Sequence, residues 1–169
     1  KCAFTGANQR HVGKFEQATG GTLLLDEVTE MDMGLQAKLL RALQEREIER
    51  LGGSGPIKIN TRIIATTNRD IVKAVADGKF RQDLFYRLYV IHMEVPPLRQ
   101  RTGDIELLAD HFLKEFAVQF NKPDAYFSTD AKAKLSAHNW PGNVRELHNV
   151  VQRSVLLAPN SAITSLDLP

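Results

Sequence analysis

Through the first hundred residues, short apolar runs alternate with stretches in which apolar residues recur every three or four positions; beyond that only the second pattern continues. Leu23-Leu24-Leu25 is entered through Gly20-Gly21 and ends in Asp26-Glu27, the pattern of a strand buried on both faces. In "GLQAKLLRALQERE", Leu35, Leu39, Leu40 and Leu43 share one helical face, with Lys38, Arg41 and Glu45 elsewhere. "EIERLGGSGPIKIN" reads as a hairpin, two short alternating segments around a Gly/Ser/Pro turn. "RIIATTN" is a second buried strand. Asp70 then caps "IVKAVAD", Gly78 closes it, and "FRQDLFYRL" forms another helical segment. "YVIHMEV", Tyr89 to Val95, is a third core strand.

Pro96-Pro97 interrupts this order, because proline fixes φ and lacks an N–H donor. Every later segment reads as helix. Ile105, Leu108, Ala109, Phe112, Leu113 and Phe116 form one stripe between Asp104 and Phe120. A second helix follows Ser128-Thr129 and a third follows Asn143, where Asn143 and Glu146 have the spacing of a capping box. The expectation is an α/β block over 1–98 with a mostly parallel sheet, then a small all-helical block over 99–169.

Composition narrows the picture modestly. The 169 residues are 43% hydrophobic, which suits a globular core, and no apolar run approaches the roughly 20 residues that span a bilayer. A net charge of +2 argues for neither nucleic acid nor membrane. A single cysteine, Cys2, excludes an internal disulfide framework and fits a reducing compartment, so we expect a cytoplasmic protein. The chain opens without methionine and inside a motif, so we expect it to be a piece of a longer protein.

Candidate chemistry gathers at the strand ends. In open α/β sheets ligands bind beyond the carboxyl ends of the strands. Asp26 there offers a hard oxygen to a phosphate-bound Mg²⁺, and Glu27 a base for a hydrolytic water. Alone, the pair reads slightly better as a strand leaving the core for a polar loop. Thr67 and Asn68 end the neighbouring strand; Asn68 can hold a water between an acid and a phosphate, or can belong to a turn that caps the next helix. Arg81 and Arg87 are either fingers for a phosphoryl group or surface cations, Asp83 and Arg87 having i,i+4 spacing. Spacing does not choose. Arg145 falls in the first turn of its helix, where the macrodipole disfavours a cation unless an external anion faces that turn, Glu146 pairs locally or water screens it. The five histidines show no metal-ligand spacing, and His138 and His148 read as surface or core fillers.

Taken in order, "AFTGA", "GGTLLLDE", "TRIIATTNRD", "FRQDLFYRL", "PPLRQRTGDI" and "WPGNVRELHNVV" resemble the AAA+ ATPase domain of bacterial sigma-54-dependent transcriptional activators, the NtrC-like enhancer-binding proteins. The resemblance covers essentially the whole chain. It implies a P-loop-type parallel sheet followed by a helical lid, and an ATPase that uses ATP and Mg²⁺. By motif, Asp26 and Glu27 match the Walker B pair, Asp26 for Mg²⁺ and Glu27 for the attacking water. Gly20 and Gly21 accompany them as cofactor-binding positions. Thr67-Asn68 match sensor I, Arg81 and Arg87 the arginines entering the adjacent subunit's site, and Arg145 the sensor II arginine. Phe4, Thr5 and Gly6 match the loop that touches sigma-54, and 52–56 its supporting loop. The implied partners are sigma-54 RNA polymerase holoenzyme, further copies in a hexameric ring, and DNA through a domain outside this chain; no membrane is implied.

Three departures set further expectations. Cys2 stands where the family loop has glycine. No Gly-x-x-x-x-Gly-Lys-Ser/Thr occurs, so the phosphate loop, and the asparagine that restrains the Walker B glutamate, are expected upstream together with any receiver or sensor domain of a two-component or ligand-sensing input. The strand leading into that loop would lie between the sensor I strand and Tyr89–Val95, so the 169 residues alone are expected neither to fold stably nor to hydrolyse ATP. The competing reading, favoured by Cys2 and disfavoured by Phe4-Thr5, is a nucleotide-dependent, oligomerising, DNA-bound regulator that does not remodel sigma-54. A purely structural α/β domain leaves the ordered Glu27, Asn68, Arg81, Arg87 and Arg145 unexplained.

Overall fold

A computed structural model describes residues 12–50, 55–101, 103–164 and 166. The expected sigma-contacting residues Phe4, Thr5 and Gly6, and positions 52–54 of the supporting loop, lie outside these. The chain divides into two compact units, Lys1–His92 and Met93–Pro169.

The first unit runs α1 (Lys14–Gln17), β1 (Thr22–Leu25), a 3₁₀ turn (Val28–Glu30), α2 (Met33–Glu45), β2 (Glu47–Glu49), β3 (Pro56–Lys58), β4 (Arg62–Ala65), α3 (Ile71–Ala76) and α4 (Gln82–Leu88). β1 and β4 pair in parallel, Thr22 opposite Arg62 through Leu25 opposite Ala65, and β2 with β3 forms the expected antiparallel hairpin. Because β1 and β4 are parallel, Asp26 and Thr66 leave the sheet at the same end. Side-chain caps start two of the helices: Asp32 accepts from the Leu35 N–H at 2.9 Å, and Asp70 from the Lys73 N–H at 3.0 Å. Val28, Leu39, Leu40, Phe80 and Leu84 form the core, with Leu25, Ala65, Ile71 and Leu88 against it.

Three expectations for this unit are corrected. The sheet is not buried on both faces: Leu24 and Ile64, opposite one another in the ladder, are 58% and 43% exposed. Alternation sends Leu23 and Leu25 inward and leaves this pair on a face that nothing among the described residues covers. Tyr89–Val95 is not a strand; Val90, Ile91, Met93 and Val95 are each close to 80% exposed. A strand exists only through its ladder partner, and no described strand pairs with this segment. In α2, Leu39 and Leu40 are buried as expected, but Leu35 is exposed and its neighbour Gln36 is fully buried instead.

The second unit holds a 3₁₀ turn (Leu98–Gln100), α5 (Asp104–Gln119), β5 (Tyr126–Phe127), α6 (Thr129–Ala137), α7 (Asn143–Leu157) and β6 (Ala162–Ile163). α5 lays the predicted stripe on α7, where Ala109, Leu113 and Phe116 meet Leu147, Val150, Val151 and Val155. The expectation of helices alone is corrected by β5 and β6, a two-residue parallel pair. Trp140 is fully buried in a left-handed conformation, φ 50°, and its indole N–H donates to the Leu135 carbonyl at 2.9 Å.

The capping box at α7 is only half present. Glu146 reaches back to the Gly142 N–H at 2.8 Å, but Asn143 does not cap. Its side-chain oxygen Oδ1 instead accepts from the Leu98 N–H at 2.8 Å. With φ at 51°, Asn143 sits in the left-handed region that asparagine tolerates, and so ties the helix start to the turn before α5.

Candidate active site

The acids stand at the carboxyl rim of β1. Asp26 and Glu27 are both exposed, and Glu27 is left-handed, φ 51°, where the chain turns from strand into the 3₁₀ helix. Such a conformation is unfavourable for a residue with a Cβ and is held here by neighbouring bonds.

Thr66, at the rim of β4, supplies most of them. Its N–H donates to the Leu25 carbonyl and its carbonyl accepts from the Val28 N–H, each at 2.9 Å. Its hydroxyl donates to Asp26 Oδ1 and accepts from the Glu27 N–H at 3.4 Å. The motif marks Thr67 and Asn68 but not Thr66, which in the strand's alternation is only the next polar residue. The next links continue the same seam. The hydroxyls of Thr29 and Thr67 share a hydrogen bond of 2.8 Å, and Glu30 pairs with Arg69 at 2.6 Å. Asn68 is exposed, one residue beyond Thr67.

Gly20 and Gly21 are not brought to this rim. They lie at the amino end of β1, where Gly20, at φ 81°, donates to the Asn60 carbonyl at 2.7 Å and Gly21 accepts from the Arg62 N–H at 2.9 Å. Their bonds start the strand pair.

Arg81 is the N-cap residue of α4 and Arg87 lies in its last turn. The expected i,i+4 option is replaced by an i,i+2 one: Asp83 takes Arg81, from Nε at 3.0 Å and Nη2 at 2.6 Å. This hydrogen-bonded pairing pulls the Asp83 carboxyl below the usual carboxylate range and holds the Arg81 guanidinium further into its charged form. Arg87 donates instead to the Leu43 carbonyl at 3.0 Å.

In the second unit Arg145 projects from the first turn of α7, exposed and without an ion pair among the described residues. Glu146 does not take it, being turned to Gly142. Arg145 lines a shallow hollow of about 340 Å³ with Phe112, Val144, His148 and Asn149. His148 packs edge-on against Phe112 and Phe116 at 5.0 Å, and His138 against Trp140 at 4.7 Å, so both are half-buried against aromatic rings of the core.

Residues 1–94 match the family model described as the sigma-54 interaction domain, and residues 99–169 match the AAA+ ATPase lid domain. The chain belongs to the sigma-54 interaction domain family. It is 56% identical over 163 residues to the transcriptional regulatory protein FlbD of Caulobacter vibrioides, covering 96% of this chain and 36% of that protein. It is 54% identical to the regulatory protein AtoC of Escherichia coli over all 169 residues, 37% of that protein. Among solved structures, NtrX from Brucella abortus in complex with ATP superposes with a TM-score of 0.85 at 42% identity, covering 92% of this chain and 37% of that one. The ADP complex of NtrX gives the same TM-score and identity. The chain thus spans about a third of the length of the relatives it matches. The fold is the family's α/β AAA+ unit with its lid, and among the described residues no helix is long and apolar enough to cross a membrane.

Proposed function

We propose that this chain is the greater part of an ATP-hydrolysing domain that acts on sigma-54 RNA polymerase holoenzyme to activate transcription in the cytoplasm. The observation that carries the reading is the rim itself. Two adjacent acids leave one parallel strand, and the hydroxyl of a threonine leaving the next bonds the carboxylate of the first and the N–H of the second, at the sheet end where α/β folds bind ligands. The relatives' ATP and ADP complexes and the sigma-54 family match support the same reading.

Each residue then has a defined task. Glu27 orients and deprotonates the attacking water from the left-handed turn that ends the strand. Asn68 holds that water against the γ-phosphate. Arg81 and Arg87 come from one protomer to the nucleotide of the next, so the working form is a ring, a hexamer in this family. Arg145 reads the nucleotide from the lid. A cation unpaired at a helix N-terminus is unfavourable by itself and becomes favourable when a phosphate meets it.

The donor set suits Mg²⁺. One exposed carboxylate, Asp26, with its Oδ1 oriented by Thr66, is what a Mg²⁺ ion uses when it is otherwise held by phosphates and water. Among the described residues no larger cluster of acids or histidines competes for it. When bound, the ion neutralises charge on the phosphate oxygens.

Phe4, Thr5 and Gly6 form the contact with sigma-54, Cys2 notwithstanding, and DNA is bound by a domain outside this chain. Pull-down of sigma-54 by the full-length protein trapped with ADP and a metal fluoride tests the reading. Binding that is lost in Thr5→Ala supports it. Turnover of ATP with no sigma-54 capture leaves instead a regulator that does not remodel the sigma factor.

A further inference from the structure

Among the described residues of the first unit, Gln36 is the one fully buried amide side chain, its polar atoms are all engaged, and it belongs to no motif that the function uses. Its side chain has no exposed surface. Nε2 donates to the Met31 carbonyl at 2.8 Å and to the Lys79 carbonyl at 3.0 Å, while Oε1 accepts from the Arg81 N–H at 2.9 Å. The three partners lie on two segments far apart in sequence. Met31 closes the 3₁₀ turn that follows Asp26-Glu27, and Lys79 and Arg81 bracket Phe80, itself 2% exposed in the same core.

A leucine in place of Gln36 would satisfy the helix pattern and leave all three backbone groups without this partner inside the protein, which is unfavourable for each. Amide chemistry at this position therefore has a specific result. It fixes the backbone of Arg81 on one side and the turn behind the acids on the other, so their separation is set by one rigid side chain. The N-cap residue Arg81 supplies no side-chain cap to α4, and its own N–H is held by Gln36 alone among the described side chains.

We infer that Gln36 is a positioning residue for Arg81: it sets where the guanidinium stem leaves the protomer, and so how the finger meets the neighbouring protomer's nucleotide. The inference rests on the reading above that Arg81 acts in trans. Gln36 touches no nucleotide; it acts through the main chain of the arginine. A bland buried amide would stabilise the unit and have no preference between the protomer's own site and its neighbour's.

The test uses full-length protein carrying Gln36→Met, which loses all three bonds, or Gln36→Asn, which keeps the amide but withdraws it by one methylene. The expected result is a fall in kcat of about 10²-fold with an unchanged KM for ATP, the signature of a misplaced group rather than lost substrate binding. Mixing either variant with Glu27→Gln chains restores turnover, because the variant's intact acids receive wild-type fingers. Mixing it with Arg81→Ala chains restores none. Rescue by Arg81→Ala chains, or rescue by neither in a variant that melts like wild type, overturns the inference. Mutual rescue of Glu27→Gln and Arg81→Ala chains is the control, and its failure removes the trans-acting finger itself rather than the role of Gln36. If both variants fail to fold, amide exchange at Arg81 in the wild-type protein decides: protection well above that of other N-cap residues supports the clamp, and rapid exchange refutes it.

Discussion

The hydroxyl of Thr66 donates to the carboxylate of Asp26 across the parallel pair β1–β4, so the residue that orients the first acid comes from the neighbouring strand. A carboxylate with one oxygen fixed presents the other in a defined direction. A valine at position 66 keeps the shape and removes the donor. Thr66→Val in the full-length protein is expected to raise the Mg²⁺ concentration that gives half-maximal ATPase activity by about tenfold, the worth of one charge-assisted hydrogen bond. Thr66→Ser should restore most of it, as a metal titration at fixed ATP would show.

Asp83 holds the fork of Arg81 and also accepts from the Leu84 N–H at 2.8 Å, so it serves both the finger and the first turn of α4. Its folded pKa lies below the ordinary 3.8, mainly through the Arg81 hydrogen bond. A carboxyl with a lowered folded pKa stabilises the fold above its unfolded pKa and loses that contribution as pH falls through the folded value. The melting temperature of wild type should therefore drop more steeply below about pH 4 than that of Asp83→Asn, in thermal melts between pH 2 and 6. Parallel curves would show that the pair contributes nothing.

Lys122 closes the far end of α7. Its ammonium donates to the carbonyls of Val155 at 2.8 Å, Leu156 at 3.0 Å and Ala158 at 2.8 Å. These carbonyls end the helix and a cation there also meets the negative end of the dipole. Lys122→Met should destabilise the fold by about 2 kcal/mol, read as a lower denaturant midpoint with an unchanged m-value. ATP affinity should not move.

The elements that were legible in the sequence are those whose signal is local. α5, with its stripe, and α3, with its Asp70 cap and Gly78 stop, depend on neighbours within one or two turns. Tyr89–Val95 has the composition of a strand and none of the described strands beside it, because a ladder partner is a non-local fact. Gln36 and Leu35 exchanged roles for a related reason: hydropathy sends leucine inward, but three carbonyl and N–H groups from other segments converged on position 36. At the site, the motifs marked Asp26, Glu27 and Asn68, whereas Thr66 became visible only through the register of β1 against β4. The Asp83–Arg81 pair escaped helical spacing because Arg81 stands at the helix start with non-helical backbone, φ −70° and ψ 131°.

If the rim of β1 performs hydrolysis rather than merely ending a strand, the chemistry depends on the Glu27 carboxylate. ATP binding and single-turnover hydrolysis by full-length Glu27→Gln separate the two cases. ATP affinity is expected within about threefold of wild type, with hydrolysis slowed by at least about 10²-fold. Hydrolysis at the wild-type rate in Glu27→Gln would contradict a hydrolytic role for the rim.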